Sequence, residues 1–256
     1  MNAPSRARSG ELDWDYSVLA ASYEKRAPYA AEAIAEALDT ACLPARARAL
    51  DVGAGTGRLT AILAACGLAV TALEPNREMR AIGVEKTRGL DVAWRDARGE
   101  NTGCADASFD LVAFGSSFNV FDPTLALREA SRVLHGAGWL MCLWNHRDLT
   151  DPLQAKVEAS IRRNVRDYRY GTRRDDPSGL IDASELFGPV LFVERCFMHR
   201  THRADFIDGF RAHATLRRQS GALFPRVLAD IEHELASEEW LDVPFSTRVW
   251  MAQRAE

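Results

Sequence analysis

The stretch Ala49-Leu50-Asp51-Val52-Gly53-Ala54-Gly55-Thr56-Gly57-Arg58-Leu59-Thr60 most constrains the fold, because it reads as a buried strand breaking into a glycine turn that opens a helix. Without a Cβ, Gly53, Gly55 and Gly57 can take positive φ and let a ligand lie against backbone amides. Such a turn predicts a bound nucleoside, with a purely structural turn as the rival reading. The dinucleotide fingerprint requires a third glycine three residues after the second, and that position is Arg58. Gly57 comes one residue too early, which argues against a nicotinamide-dependent oxidoreductase.

From residue 47 onward, strand-like apolar runs alternate with helical patterns, the signature of a parallel sheet with helices on both faces. Strands are predicted at 47–52, 69–74, 90–95, 109–114 and 138–144, with helices starting near Thr56, Arg77 and Thr124. His135-Gly136-Ala137-Gly138 reads as a glycine stop before the fifth strand. Ahead of the sheet lie an aromatic segment, 13–29, and an alanine-rich helix, 30–42. Beyond it, 151–176 is helical and arginine-heavy, and strands at 189–198 and 243–252 are separated by helices around 204–216 and 223–240.

A chain of 256 residues can bury a substantial core, and one domain over 1–256 is expected. Its parts are an N-terminal cap segment (11–45), a ligand-binding core (46–145), a helical insertion or lid (151–186) and C-terminal strands and helices (187–256). No apolar run approaches the roughly 20 residues of a membrane span, and the polar 1–10 stretch reads as a frayed end without a signal peptide. Cys42, Cys66, Cys104, Cys142 and Cys196 have no paired spacing, so a reduced, cytoplasmic protein without a zinc site is expected. A net charge of −4 provides no basic field, so nucleic acid is not an expected partner. The sequence leaves the oligomeric state open.

An acidic residue before the turn, glycines at alternate positions and Glu74 ending the next strand together resemble motif I of the class I S-adenosylmethionine (SAM) dependent methyltransferases. Three further segments follow in that family's order: Ala69-Val70-Thr71-Ala72-Leu73-Glu74-Pro75-Asn76, Val92-Ala93-Trp94-Arg95-Asp96-Ala97, and Ala105-Asp106-Ala107-Ser108-Phe109-Asp110-Leu111-Val112. The resemblance covers roughly residues 47–143, with a weaker likeness in the aromatic N-terminal segment. It implies a Rossmann-like α/β fold of seven mostly parallel strands, completed by an antiparallel strand at the sheet edge, with SAM as cofactor and S-adenosylhomocysteine as product.

The resemblance also assigns roles. Glu74, followed by Pro75 and Asn76, would accept the ribose hydroxyls, and Asp51 would orient the loop or reach the methionine amino group through water. Asp96, beside Ala97, would accept the adenine amine, an Asp after a strand being otherwise a helix cap. Met79 would pack on the adenine face or simply fill the core. Gly115 and Ser116, ending the fourth strand, join this set. The segment Trp14 to Arg26 would fold over the methionine end, with Tyr16, Tyr23 or the two-pronged Arg26 on its carboxylate and Trp14 towards the acceptor. An amphipathic helix packed on the domain is the alternative.

Transfer from a sulfonium requires in-line approach, and a base is needed only where the nucleophile carries a proton. His146, at the end of the fifth strand, is the candidate base, with His199, His202 and His213 as rivals, and Asn119 would orient the acceptor. Phe118, Phe121 and Trp144 would form an aromatic wall, or the core. The run 161–176 carries six arginines against three aspartates, with Tyr168 and Tyr170 interleaved. It reads as a solvated, ion-paired face or as a site for a flat or anionic acceptor. The fourth-strand loop has no carboxylate cluster, so no metal is expected, and Ser116-Ser117-Phe118-Asn119 replaces the Pro-Pro-Tyr type of motif used on nucleobases. The expectation is an O- or N-methyltransferase of a small, planar or anionic metabolite, in specialised or cofactor biosynthesis. A catalytically inactive SAM-binding regulator or partner subunit is the alternative.

Overall fold

The computed structural model describes residues 20–170 and 175–255. A short helix α1 (Ala20–Tyr23) and helix α2 (Ala31–Ala41) lead into strand β1 (Arg48–Val52). Then follow α3 (Arg58–Ala65), β2 (Ala69–Leu73), α4 (Arg77–Lys86), β3 (Val92–Arg95), β4 (Phe109–Gly115), α5 (Pro123–Val133) and β5 (Leu134–Arg147). The C-terminal part contains α6 (Pro152–Asn164), α7 (Ser178–Ala183), β6 (Leu191–His202), α8 (Arg203–Arg211), α9 (Ala214–Ser220), α10 (Phe224–Glu234) and β7 (Trp240–Gln253).

The seven strands form one sheet in the order β3-β2-β1-β4-β5-β7-β6, parallel through β5, with β7 antiparallel to both of its neighbours. The antiparallel strand expected at the edge is therefore interior, and β6 is the edge. Burial explains the swap. Leu241, Val243, Val249, Trp250, Met251 and Ala252 of β7 are all buried, whereas β6 leaves Leu191, Phe192 and Met198 exposed. The glycine stop is also corrected: His135 to Gly138 belong to β5, and the pairing slips from Phe109↔Leu134 to Leu111↔Trp139 to absorb the extra residues.

Period-two alternation divides the core into two layers. Leu50, Val52, Val112, Phe114, Leu140 and Cys142 face α5, while Ala49, Leu111, Ala113, Met141 and Leu143 face α2 and α3. Helix starts follow capping chemistry. Asn76, Asp122 and Asp151 accept the amides of Met79, Leu125 and Gln154, and Pro123 and Pro152 occupy first-turn positions where no amide is missed. A third cluster, with Val157, Ile161, Phe206, Phe210, Val227 and Ile231, joins α6, α8 and α10. These helices follow the ends of β5 and β6 and precede β7, so they sit at the carboxyl side of the parallel strands. Helix α6 of the expected insertion thus shares its cover with later helices. Among the described residues no helix is long and apolar enough to cross a membrane.

Candidate functional site

The turn after β1 has the conformation its glycines require: φ is +67° at Gly53, +57° at Gly55 and +75° at Gly57. Its amides are largely used within the protein. Ala54 N–H donates to Leu73 O at 2.9 Å, Gly57 N–H to Ala54 O at 2.9 Å, and Gly55 N–H to Glu74 Oε2 at 2.9 Å. What glycine supplies is close approach. A Cβ on Gly53 would stand 2.8 Å from Ser117 Cβ and one on Gly57 would stand 3.0 Å from Trp94, whereas at Gly55 only the Met79 methyl comes near, at 3.4 Å. Buried Met79 thus lies over the most open point of the loop.

Glu74, at the end of β2, also accepts from Asn76 N–H at 2.8 Å, while Asn76 Oδ1 caps α4. Each Glu74 oxygen still has a lone pair for a ribose hydroxyl. Burial pushes its pKa up. Asp51 is fully buried and accepts from Thr60 Oγ1 at 2.6 Å through Oδ2, and among the described residues Oδ1 accepts no hydrogen bond. Burial raises its pKa to about 7. Two desolvated carboxylates beside a positive-φ glycine turn fit a nucleoside with a cationic tail. The orphaned Asp51 oxygen is the observation that favours the cation.

The other candidate residues have neighbours of their own within the protein. Asp96 lies on the surface, 3.2 Å from Arg80, so its carboxylate is held by an ion pair, and Ala97 packs against the core. Phe118 and Phe121 pack edge-on against Phe114 at 5.3 and 5.9 Å, Phe118 buried in the core and Phe121 half-buried against it. Asn119 accepts from Trp144 Nε1 at 3.2 Å. Pro75 turns the chain between β2 and α4, and its carbonyl accepts from Arg80 at 3.2 Å. Gly115 ends β4 against Leu59, and Ser116 has φ +59°, unusual for a residue with a Cβ. Strain of that kind persists only where the surroundings fix it, and here Tyr29 Oη donates to Ser116 Oγ at 2.8 Å.

At Ser116 a cleft of about 990 Å³, counted to its open mouth, begins and runs under the helical cover. Tyr23 and Arg26, expected on the methionine carboxylate, line this cleft, with the guanidinium 4.9 Å from the Tyr23 ring centre. Trp14 and Tyr16 lie outside the described residues. Trp144 reaches the cleft edge from the core, and Tyr170 lines it while donating to Glu158. Tyr168 is instead buried, edge-on to Tyr170 at 5.1 Å. Arg162 and Arg163 are ion-paired to Glu158 and Glu234 at 2.7 and 2.9 Å, as a solvated face would be.

His146 does not line the cleft. It sits on the opposite face of β5 from Asn145 and Arg147, buried with its ring 6.2 Å from that of Trp250. A strand sends successive side chains to opposite faces, so a one-residue step decides access. The imidazoles that line the cleft are His199 of β6 and His213, which caps α9. Burial, with Arg58 nearby, pushes the His199 pKa down, leaving a neutral imidazole at pH 7. Tyr29, Arg147, Phe206, Phe210 and Phe245 also line the cleft without having been singled out. Their spacing carries no local signal, because they come from four separate segments.

Comparison with known proteins is consistent with this geometry. Residues 50–142 match a family described as a methyltransferase domain. An uncharacterized methyltransferase of Mycobacterium tuberculosis is 38% identical over 117 residues, 44% of this chain and 46% of its own length. A ubiquinone/menaquinone biosynthesis C-methyltransferase of Rubrivivax gelatinosus is 38% identical over 98 residues, 37% of this chain and 38% of its own. The chain thus spans about half or less of the length of these curated relatives. Among solved structures, Phospholethanolamine N-methyltransferase 2 of Haemonchus contortus, in complex with phosphomonomethylethanolamine and S-adenosylhomocysteine, shares the fold. Its TM-score is 0.55 at 13% identity, covering 94% of this chain and 58% of that one. Family match, relatives and sheet order converge: residues 50–142 match a methyltransferase domain, and the seven-stranded sheet is the Rossmann-like fold of the class I SAM-dependent methyltransferases.

Proposed function

We propose that the protein methylates a small, planar, anionic metabolite, using SAM as donor and releasing S-adenosylhomocysteine. The composition of the cleft carries this reading. Among the described residues its lining contains seven aromatic residues and three cations (Lys25, Arg26 and Arg147) but no carboxylate. Aromatic faces bind a flat ring, and guanidinium groups pair with carboxylate or phenolate. Gly53, Gly55, Gly57, Asp51, Glu74 and Met79 would hold the donor, which supplies an electrophilic methyl group when bound. The chain's own part is to orient the acceptor, exclude water beneath α8 and, through the neutral His199, take up a proton where the acceptor is protonated. An open cleft beside the loop favours an enzyme over an inactive binding subunit.

Oxygen or nitrogen as nucleophile is the first reading. Carbon is the second, favoured by the similarity to the Rubrivivax C-methyltransferase, and suits a ring carbon activated by a neighbouring phenolate. A transfer assay with methyl-labelled SAM over hydroxybenzoates, N-heterocyclic acids and their neutral esters tests the reading, with NMR of the product identifying the methylated atom. Acids should be preferred at least tenfold over esters, about 1.4 kcal/mol. Equal rates for esters would remove the anionic acceptor, and failure of calorimetry to detect S-adenosylhomocysteine binding would remove the donor site.

A further inference from the structure

The segment 24–30, between α1 and α2, forms one wall of the cleft through Arg26, Ala27 and Tyr29, yet it belongs to no helix or strand. Its backbone carbonyls are held by side chains from elsewhere. Arg58, the first residue of α3 and the one directly after Gly57, donates from Nη1 to Ala27 O at 3.0 Å and from Nη2 to Glu24 O at 3.4 Å and to Arg26 O. Asn145, near the end of β5, donates from Nδ2 to Ala27 O at 3.2 Å and to Pro28 O at 2.6 Å. Its Oδ1 accepts from Thr247 Oγ1 at 2.6 Å, and Thr247 Oγ1 accepts from Ala30 N–H at 2.8 Å.

Arg58 is poorly suited to its helix, since a cation in the first turn opposes the helix dipole. Its fork instead matches carbonyls converging from three residues, a geometry a lysine cannot reproduce. The Asn145 amide is fixed in orientation, because donors are needed towards the carbonyls and an acceptor towards Thr247. On the far side, Lys25 pairs with Asp205 at 2.9 Å, Ser22 donates to Asp208 at 3.1 Å, and a Cβ on Gly209 would come within 3.2 Å of Lys25 O. The segment is thus gripped between the helix that opens from the glycine turn and the helix that roofs the cleft.

We propose that Arg58 and Asn145 are positioning residues that clasp the 24–30 strap, so that the state of the glycine turn sets the acceptor wall and ligand at the turn raises acceptor affinity. The coupling rests on the reading of that turn as the donor site, whereas the clasp does not. Tyr29 completes the link, because its bond to Ser116 ties the strap to the end of β4, where donor loop and cleft meet.

Amide hydrogen exchange of the full chain, with and without S-adenosylhomocysteine, tests both parts. Wild type should protect the amides of 24–30, and more so with the ligand. Arg58→Met should speed exchange there at least tenfold while β1 and β4 stay protected, and should raise the acceptor KM tenfold or more with kcat changed less than threefold. Arg58→Lys should recover only part of this, and Asn145→Asp, which turns an acceptor towards the strap carbonyls, should reproduce the Arg58→Met pattern. Wild-type exchange at 24–30 in both Arg58→Met and Asn145→Asp overturns the clasp, as does exchange that rises evenly through the whole sheet. Ligand binding by wild type with no added strap protection overturns the coupling alone. Absence of binding by wild type overturns the donor reading and the coupling together, with the clasp still decided by the ligand-free comparison.

Discussion

Asp51→Asn should flatten the pH dependence of folding stability. The carboxyl is fully buried, and burial lifts its pKa from an ordinary 3.8 to about 7. Because the folded-state value is raised, the native state binds a proton that the unfolded chain has lost. The contribution is fully present below pH 3.8 and disappears as pH rises through 7. The three-unit gap corresponds to about 4 kcal/mol, of which about 2.7 kcal/mol, two units, is lost between pH 5 and pH 8. Glu74, whose pKa burial also raises, adds a slope of the same sign in both proteins. Urea unfolding of wild type and variant at pH 5 and pH 8, at fixed ionic strength, gives the double difference. Wild type should lose about 2 to 3 kcal/mol more than Asp51→Asn over that interval. Losses equal within the error of extrapolation, or a larger loss in the variant, would refute the argument that burial raises the Asp51 pKa in the ligand-free protein.

Glu74→Ala removes the acceptor for the Gly55 and Asn76 amides along with the ribose partner, so calorimetry should show S-adenosylhomocysteine affinity reduced at least tenfold, with Glu74→Gln intermediate. Gly83→Ala should lower stability by about 1–3 kcal/mol in a thermal melt, the reverse of the usual gain in a helix. Its Cβ would fall 2.4 Å from Trp94 Cζ2, and that ring is anchored by Nε1 donating to Thr87 Oγ1 at 2.9 Å. His146→Ala should cost about 2 kcal/mol of stability through lost packing and leave methyl transfer within threefold of wild type. His199→Ala should do the opposite on a protonated acceptor. Because the His199 pKa is lowered from 6.5, the acid limb of wild-type kcat/KM should lie below pH 6.5 and vanish in that variant.

The sequence alone determined the shape of the glycine-turn region proposed to hold the donor. A buried strand, a glycine turn and an acidic residue at the end of the next strand are local features, and each needs only its near neighbours to adopt its shape. Gly53, Gly55, Gly57, Glu74 and Met79 are therefore where the pattern placed them. The cleft proposed to take the acceptor was decided by tertiary structure. Asn145 and His146 differ by one position, but the pleat sends the first to the clasp and the second against Trp250. Tyr168 and Tyr170 differ by two, yet packing of α6 against α10 buries one and leaves the other on the cleft. The place of β7 between β5 and β6 depends on which strand can bury both faces, which no single segment specifies. Arg58 is the clearest case. In the sequence it marks only the absence of a third glycine, and its three carbonyl partners are assembled only when residues some thirty positions earlier fold back across the turn. Local patterns fix backbone shape through short-range sterics and hydrogen bonds, whereas a cleft drawn from the strap, β5, β6, α8 and β7 exists only once distant segments have packed.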